Sequence, residues 1–577
     1  MGNKLKPTLE QQNIIGAALN GDDLRIKAFA GAAKSSSLVM IADAFDERGG
    51  AIGMYLAFNK AVAVEAQGRF PSSVECKTVH SLAYKYTPTA LKKKIGYERI
   101  ISKQYAEMYG FSNSQLVNGD ARRNVTLGAK WTMVTRTLSK YCNSDDSNMA
   151  DKHIGLLDWM YTKHGFDLTE LKSEVLSLAK RLWADTIDPD SRVPLSHDAY
   201  LKLFSETGRK LPITYLMVDE CQDSNPVTLK LISNLQCQKI YVGDDFQSIY
   251  GFRSSINAMD IVEGNEMFLT KSFRFGDNIE GLANSLLKLS NCPVKLVGNE
   301  NSKGVTACVF PESWIPDCVI TRTNSGVLKN IFAYASKYPH LSVGASFDAQ
   351  AIYTFVQAYL DVCDGKGTQH PMLTMFDSRF EVIEYAKDNP DDVDVVNIVA
   401  MIEKYGSSMV IDAVKRCETN KRPNILITTA HKSKGLEWNK VRLADDFRVV
   451  NSEGLTRDQQ EVNLLYVAVT RAKVDIDVSG IILALDMIAA HNGEQLGFVG
   501  SLEKSLILDS FYKVFKNTGV PKGLKLSSFD CSDDKAMENL FWSIKRDKDS
   551  KRKKGFGVSE ADSEAFDYDC DEFPVVY

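Results

Sequence analysis

The sequence holds no apolar run near the 18 or so residues that a membrane-crossing helix requires. Its opening, Met1 to Gln12, is polar where a secretory signal would be apolar. Both absences point to a protein of the cytoplasm, nucleoid-associated, or of the host-cell cytoplasm if viral, with no membrane partner. Eleven cysteines lie scattered with no Cys-x-x-Cys pair, which argues against a disulfide framework and a thiolate zinc site. A large charge of one sign is missing too. The 69 basic and 74 acidic residues leave −5, and that sum does not point to a polyanion, because such binding depends on where charge sits. No internal repeat is visible.

What is present is length and alternation. A chain of 577 residues is too long for one core and suggests about four domains. Short β-branched runs, Leu24 to Phe29, Gly53 to Phe58, Tyr215 to Val218, Lys239 to Val242, Cys318 to Thr321, Ile425 to Thr428 and Val474 to Val478, are predicted as fully buried strands. Helical patterns such as Ser36 to Phe45 and Val227 to Leu235 separate several of them. That alternation implies α/β architecture with parallel sheets and crossover helices. Two stretches, about Tyr84 to Leu211 and Ala345 to Arg422, have helical periodicity instead and are predicted as insertions. The first carries Lys92, Lys93, Lys94, Arg122, Arg123, Lys130, Arg136 and Lys140, either a cationic rim for phosphates or a solvated helix face. Beyond Lys545 a basic run gives way to an acidic tail, the composition of a disordered, solvated segment or of a protein-partner site.

Ala28-Phe-Ala-Gly-Ala-Ala-Lys-Ser-Ser-Ser-Leu38 sits between a predicted strand and a predicted helix, the setting of a phosphate-binding loop. Backbone N–H groups from Ala30, Gly31, Ala32 and Ala33 through Ser36 would cradle phosphate oxygens. Lys34 would neutralise charge, and the Ser35 hydroxyl would reach a magnesium ion. Ala33 stands where such loops favour glycine, and its methyl would crowd the phosphate or strain the turn. An ordinary strand-to-helix turn is the alternative for this segment alone. Farther on, Leu216-Met-Val-Asp-Glu-Cys-Gln-Asp223 puts two carboxylates at a strand end, where Asp219 would hold the metal and Glu220 would orient and deprotonate the attacking water.

The next strand ends in Val242-Gly-Asp-Asp-Phe-Gln-Ser-Ile-Tyr-Gly-Phe-Arg253. Together these segments resemble motifs II and III of superfamily 1 helicases of the UvrD, Rep and PcrA type. The remaining motifs follow the same pattern: Thr8 to Gln11, Ala57 to Lys60, Thr78 to Ser81, Ser272 to Arg274, Thr428 to Glu437 and Leu464 to Ala472. The phosphate-loop flanks and short layout are nearer the F-box DNA helicase and phage-type branches.

The resemblance implies two RecA-like P-loop motor domains with ATP and magnesium between them. It places the first motor domain at 1–83 and 212–268, a helical accessory insertion at 84–211, the second motor domain at 269–344 and 423–500, a reduced insertion at 345–422 and a C-terminal extension at 501–577. Gln11 would read the adenine edge, Phe273 would stack on the base and Glu437 would lie near the ribose. Gln247, Arg274 and Arg471 would sense or stabilise the γ-phosphate. Phe58, Asn59, His80, Tyr250, Phe252, Arg253 and His431 would line single-stranded DNA, the aromatics by stacking on bases. Without the resemblance, Phe58 and Tyr250 would read as core aromatics, and the two histidines as structural. The implied activity is ATP-driven 3′ to 5′ translocation and unwinding at single-strand/duplex junctions, in repair, recombination or replication. The alternative is an ATP-responsive DNA-binding regulator whose hydrolysis Ala33 has impaired. A helicase-nuclease is disfavoured, because no acidic cluster with a following lysine appears after Ala472.

Overall fold

The computed structural model describes residues 6–493 apart from 99, 120, 156–164, 250–256, 308–309, 312, 339, 347–348, 369, 371, 389–392, 419–421, 452–453 and 456–457. The predicted charged tail lies outside them, as do Tyr250, Phe252 and Arg253.

The first half is built on β1 (Leu24–Ala28), β2 (Gly53–Ala57) and β3 (Val74–Thr78). A long excursion containing the antiparallel hairpin β4 (Ser114–Asn118) and β5 (Ala121–Val125) follows. The chain then returns as β6 (Tyr215–Val218), β7 (Gln238–Gly243) and β8 (Asn265–Leu269). The six strands of the sheet run parallel in the order β3-β2-β6-β7-β1-β8. Residues of one strand alternate between two apolar clusters, as the two-residue period of a strand requires. Tyr55 and Ala57 pack with Ile14, Leu38 and Phe45 of the helices Leu9–Leu19 and Lys34–Arg48. Met54 and Leu56 face the opposite cluster, which continues without a break into the excursion through Leu82, Val134, Val175 and Leu201. Being covered on both sides is why β2 and β6 are apolar throughout.

The second half repeats the design with β9 (Thr306–Ala307), β10 (Cys318–Thr321), β11 (Val343–Ser346), β12 (Ile425–Thr429) and β13 (Trp438–Leu443). A small hairpin, β14 (Val450–Asn451) and β15 (Gly454–Leu455), precedes β16 (Ala472–Asp477). The sheet order is β11-β12-β10-β13-β16-β9, again all parallel. Among the described residues four helices, from Ala349–Cys363 to Ser407–Glu418, stand between β11 and β12. The apolar cluster of this half takes in Phe29, Ala30 and Ile249 from the first, so the two halves share a packed seam.

Three expectations need correction. Strands β3, β8, β9, β11 and β13 escape a search for fully buried runs. The first four are at sheet edges and carry polar residues such as Glu75, Lys77 and Asn265, and β13 buries only Val441 and Leu443. The first insertion is not wholly helical, since β4 and β5 interrupt it. The cationic rim also loses members. The Lys94 ammonium is buried and donates to the carbonyls of Asp185, Thr186 and Asp188. Buried Lys130 donates to Ser112 O and both oxygens of Glu174. Arg123 is half-buried and forms a two-pronged pair with Glu381 of the second insertion. A buried ammonium is stable only with its donors satisfied, and these charges already are.

Candidate functional site

The site forms at the C-terminal ends of β1, β6 and β7, the usual ligand crevice of a parallel sheet. Beyond β1 the chain turns through Gly31 (φ +76°) and Ala33 (φ +57°, ψ +39°) into the helix that opens at Lys34. Left-handed backbone is disfavoured for a residue with a Cβ. Glu220 (φ +50°) shares it, so two non-glycine residues of one site hold unusual backbone, a clustering typical of functional centres. Ala33 is therefore strained, as its sequence position suggests.

Lys34 meets Glu220 at 2.7 Å between Nζ and Oε1. Burial alone would lower the Lys34 pKa, but the Glu220, Asp244 and Asp219 carboxylates outweigh it and hold the ammonium above its ordinary value. Burial works against ionised Glu220 as well, yet Lys34 and Lys434 bring its carboxyl down to about 2. Asp219 shifts the other way, raised by burial and by the neighbouring Glu220 charge against the pull of Lys34. It accepts hydrogen bonds from Tyr55 Oη at 2.6 Å and from the Glu220 N–H at 2.9 Å. The two adjacent carboxyls are thus shifted in opposite directions, which separates their roles. Ser35 is half-buried one residue after Lys34. One hydroxyl and one carboxylate suit magnesium, which keeps waters and takes its other ligands from substrate phosphates. Among the described residues no cluster of three or more acidic, histidine or cysteine ligands exists.

From the second half, Arg274 and Arg471 arrive at the same place. Phe273 N donates to Gly31 O at 2.8 Å, and a Cβ on Gly31 would lie 2.8 Å from Arg274 Cβ. Arg274 donates to Glu437 at 2.7 Å through Nε and to Thr470 O at 2.9 Å. Arg471 is fully buried, and its Nη2 donates to Gln247 Oε1 at 3.2 Å. Burial, together with the nearby Arg274 charge, lowers its pKa to about 9. Gln247 in turn donates to Asp244 Oδ2 at 2.5 Å.

The structure therefore brings together Lys34, Asp219, Glu220, Gln247, Arg274, Arg471 and Glu437, while the buried Ala30 and Ala32, expected to cradle phosphate, already donate their N–H groups to Tyr466 Oη and Phe29 O. Phe273 stands 48% exposed beside it, free to offer a ring face. Gln11 is nearby but engaged: its amide donates to Ser37 Oγ at 2.9 Å and accepts from Thr8 N in a capping box. Ser36 Oγ accepts from Arg69 at 3.4 Å. Among the DNA candidates, Phe58 (49% exposed) and Asn59 follow β2 and His80 follows β3, so they share one rim of the first sheet. Phe58 is no core aromatic. Asn59 uses its side chain to cap the helix Lys60–Gln67. His431 is half-buried in the turn Ala430–Ser433 after β12.

Two family models match in sequence. That of the UvrD/REP helicase N-terminal domain covers residues 41–260, and that of the UvrD-like helicase C-terminal domain covers 368–480. The chain belongs to the UvrD-like helicase family. It is 30% identical over 512 residues to F-box DNA helicase protein 1 of Schizosaccharomyces pombe, covering 81% of this chain and 56% of that one. F-box DNA helicase 1 of Gallus gallus is 28% identical over 510 residues, 82% of this chain and 48% of the relative. A probable DNA helicase II homolog of Mycoplasma genitalium matches 84 residues at 31%, covering 13% of this chain and 12% of its own. The chain spans about half the length of the two F-box helicases it matches. Within this UvrD-like chain Asp219, Glu220 and Gln247 lie inside the N-terminal match, and Arg471 and Glu437 inside the C-terminal one. No helix among the described residues is long and apolar enough to cross a membrane.

Sequence reasoning passed over four groups of this UvrD-like site. Lys434 crosses the seam to Asp223 and to Gln247 O, the latter at 2.7 Å. Burial raises the Asp223 carboxyl to about 6, with Lys434 opposing. Asp244 is likewise pushed up to about 6 by burial against Lys34. Tyr466 reaches the phosphate loop. All four sit inside the motifs named above, so their place in those motifs was the available signal.

Proposed function

We propose that this chain is an ATP-hydrolysing motor that moves along single-stranded DNA, 3′ to 5′, and unwinds duplex DNA at single-strand junctions in repair, recombination or replication. The supporting observation is the seam: Lys34 and Glu220 of one half face Arg274 and Arg471 of the other. Charge that develops on a transferring γ-phosphoryl group needs cations from both sides. Two bodies that each supply part of that set complete it only when closed, which ties hydrolysis to relative motion. In this reading residues 1–83 and 212–268 form the first motor domain and 269–344 with 423–500 the second, with 84–211 and 345–422 inserted. Glu220 accepts the proton of the attacking water, and in the apo arrangement Lys34 and Lys434 keep its carboxyl ionised. Ser35 and Asp219 would hold magnesium, which when bound would supply charge neutralisation at the phosphates. In the apo arrangement Lys34 is paired to Glu220, so the entering triphosphate takes over the ammonium and frees the carboxylate.

The strain at Ala33 favours one other reading, an ATP-responsive DNA-binding protein with little turnover. Steady-state hydrolysis with and without single-stranded DNA separates the two, with Lys34→Ala and Glu220→Gln as controls. A DNA-stimulated rate that both substitutions abolish supports the motor. Background turnover with retained nucleotide binding supports the regulator.

A further inference from the structure

The helix Lys34–Arg48 is entered from Ala33, which holds φ +57° and gives the helix no side-chain cap. An alanine left there unaided falls back to ordinary backbone, and the phosphate loop changes shape with it. Ala33 O accepts from Ser37 N at 3.0 Å and again from Ser37 Oγ at 3.1 Å. A serine hydroxyl bonding back to the carbonyl four residues earlier is common in helices, and alone it would carry no meaning. Here a second helix, Leu9–Leu19, fixes which way that hydroxyl points. Thr8 N can only donate, so the Gln11 side-chain atom that meets it at 2.9 Å is the oxygen, Oε1. The Gln11 amide nitrogen therefore faces Ser37 and donates to Oγ at 2.9 Å. With that contact filled, Ser37 Oγ turns its own proton to Ala33 O. Gln11 and Ser37 are 4% and 2% exposed, so bulk water does not compete for these bonds. Glu10 steadies the same helical turn, accepting from Thr270 N at 3.0 Å and Thr270 Oγ1 at 2.6 Å.

We propose that Ser37 and Gln11 are positioning residues that hold Ala33 in its left-handed conformation. They keep the phosphate loop in the shape that receives a nucleotide, at a position where this chain lacks the glycine that would adopt that shape freely. The inference rests on the reading of this loop as the ATP site and adds what maintains it. Ser37 lies buried one helical turn beyond Ala33 and acts on its carbonyl, and Gln11 acts through Ser37. That separates this role from the adenine contact expected of Gln11, which would not depend on residue 33. Glycine populates left-handed backbone about as readily as right-handed, so with glycine at 33 the Gln11–Ser37 strut has no bias left to oppose.

The test is equilibrium binding of ATP with magnesium, by isothermal titration calorimetry, to the full chain carrying Ser37→Ala or Gln11→Ala. Each substitution is made in the parent and in the Ala33→Gly background, with unfolding midpoints to show that every variant is folded. The expected result is a Kd raised about fivefold or more by either substitution in the parent, and by less than about twofold in the Ala33→Gly background. Gln11→Ala leaves Ser37 in place and decides the matter alone if Ser37→Ala does not fold. An equal loss in both backgrounds would mean base reading for Gln11, or general damage to the helix for Ser37, and overturns the proposal. Unchanged affinity in the parent background overturns it too. Hydrolysis by the parent is measured separately. Its absence fails the motor reading without touching the binding result, whereas a parent that binds no ATP overturns both.

Discussion

Gly31→Ala tests the closeness of the seam. The added methyl would sit 2.4 Å from Ser272 Oγ and 2.8 Å from Arg274 Cβ, where ordinary contact begins at 3.4 Å. The Arg274 Cβ is fixed by its own backbone and cannot rotate away as a hydroxyl can, so the remedy is to part the halves by roughly an ångström. The alanine would also hold φ near +76°, at about 1–2 kcal/mol of backbone strain. Parting the halves lengthens the 2.8 Å bond from Phe273 N to Gly31 O and carries Arg274 out of place. A misplacement of about 1 Å in a catalytic group lowers turnover on the order of a hundredfold. The expectation is therefore ATP hydrolysis down about two orders of magnitude, with a thermal unfolding midpoint lowered only by a few degrees, since most of the core is untouched. Gly16→Ala serves as control. It lies within the helix Leu9–Leu19 with no atom within 4 Å of the new methyl. A Gly31→Ala protein that turns over ATP within about twofold of the parent would refute the reasoning.

Three further outcomes follow from the same geometry. Ala33→Gly relieves left-handed strain of about 1 kcal/mol while loosening the unfolded chain by a similar amount. Denaturant titration should show little change, whereas hydrolysis should hold or rise, and a fivefold loss of rate would show that the methyl contributes to the loop. The Arg123–Glu381 pair joins the two insertions with both side chains mostly buried, 13% and 25% exposed. A double-mutant cycle of Arg123→Ala and Glu381→Ala should give a coupling of about 0.5–3 kcal/mol by chemical unfolding, and additivity would show the pair is incidental. Burial raises the folded Asp223 carboxyl from 3.8 to about 6. Its neutral form therefore adds stability that is complete below about pH 4 and lost as pH rises through about 6. Asp223→Asn should flatten that portion of the stability profile, and parallel profiles for parent and variant would contradict the shift.

The uneven legibility of this chain has a physical cause. Strands such as Tyr215–Val218 and Cys318–Thr321 were readable to the residue because a strand covered on both faces must be apolar throughout. The edge strands Val74–Thr78 and Asn265–Leu269 face solvent along one side, so Glu75, Lys77 and Asn265 erase that signal. The site divides in the same way. Lys34, Glu220 and Arg471 stand out in the sequence because the proposed phosphoryl chemistry calls for those residue types at those motif positions, and the structure gathers them at one seam. Asp223 and Lys434 belong to motifs equally visible in the sequence, but their meaning lies in a contact made across the seam. Sequence shows that a charge exists and is silent on whether a partner already holds it. Lys94 and Lys130 make the point from the opposite side, because each looks available to a phosphate until its ammonium is found closed in by carbonyls or a carboxylate. Strain is the exception that sequence did disclose. Alanine in place of glycine at position 33 signals left-handed backbone, because only the turn's geometry, and no partner, decides its cost.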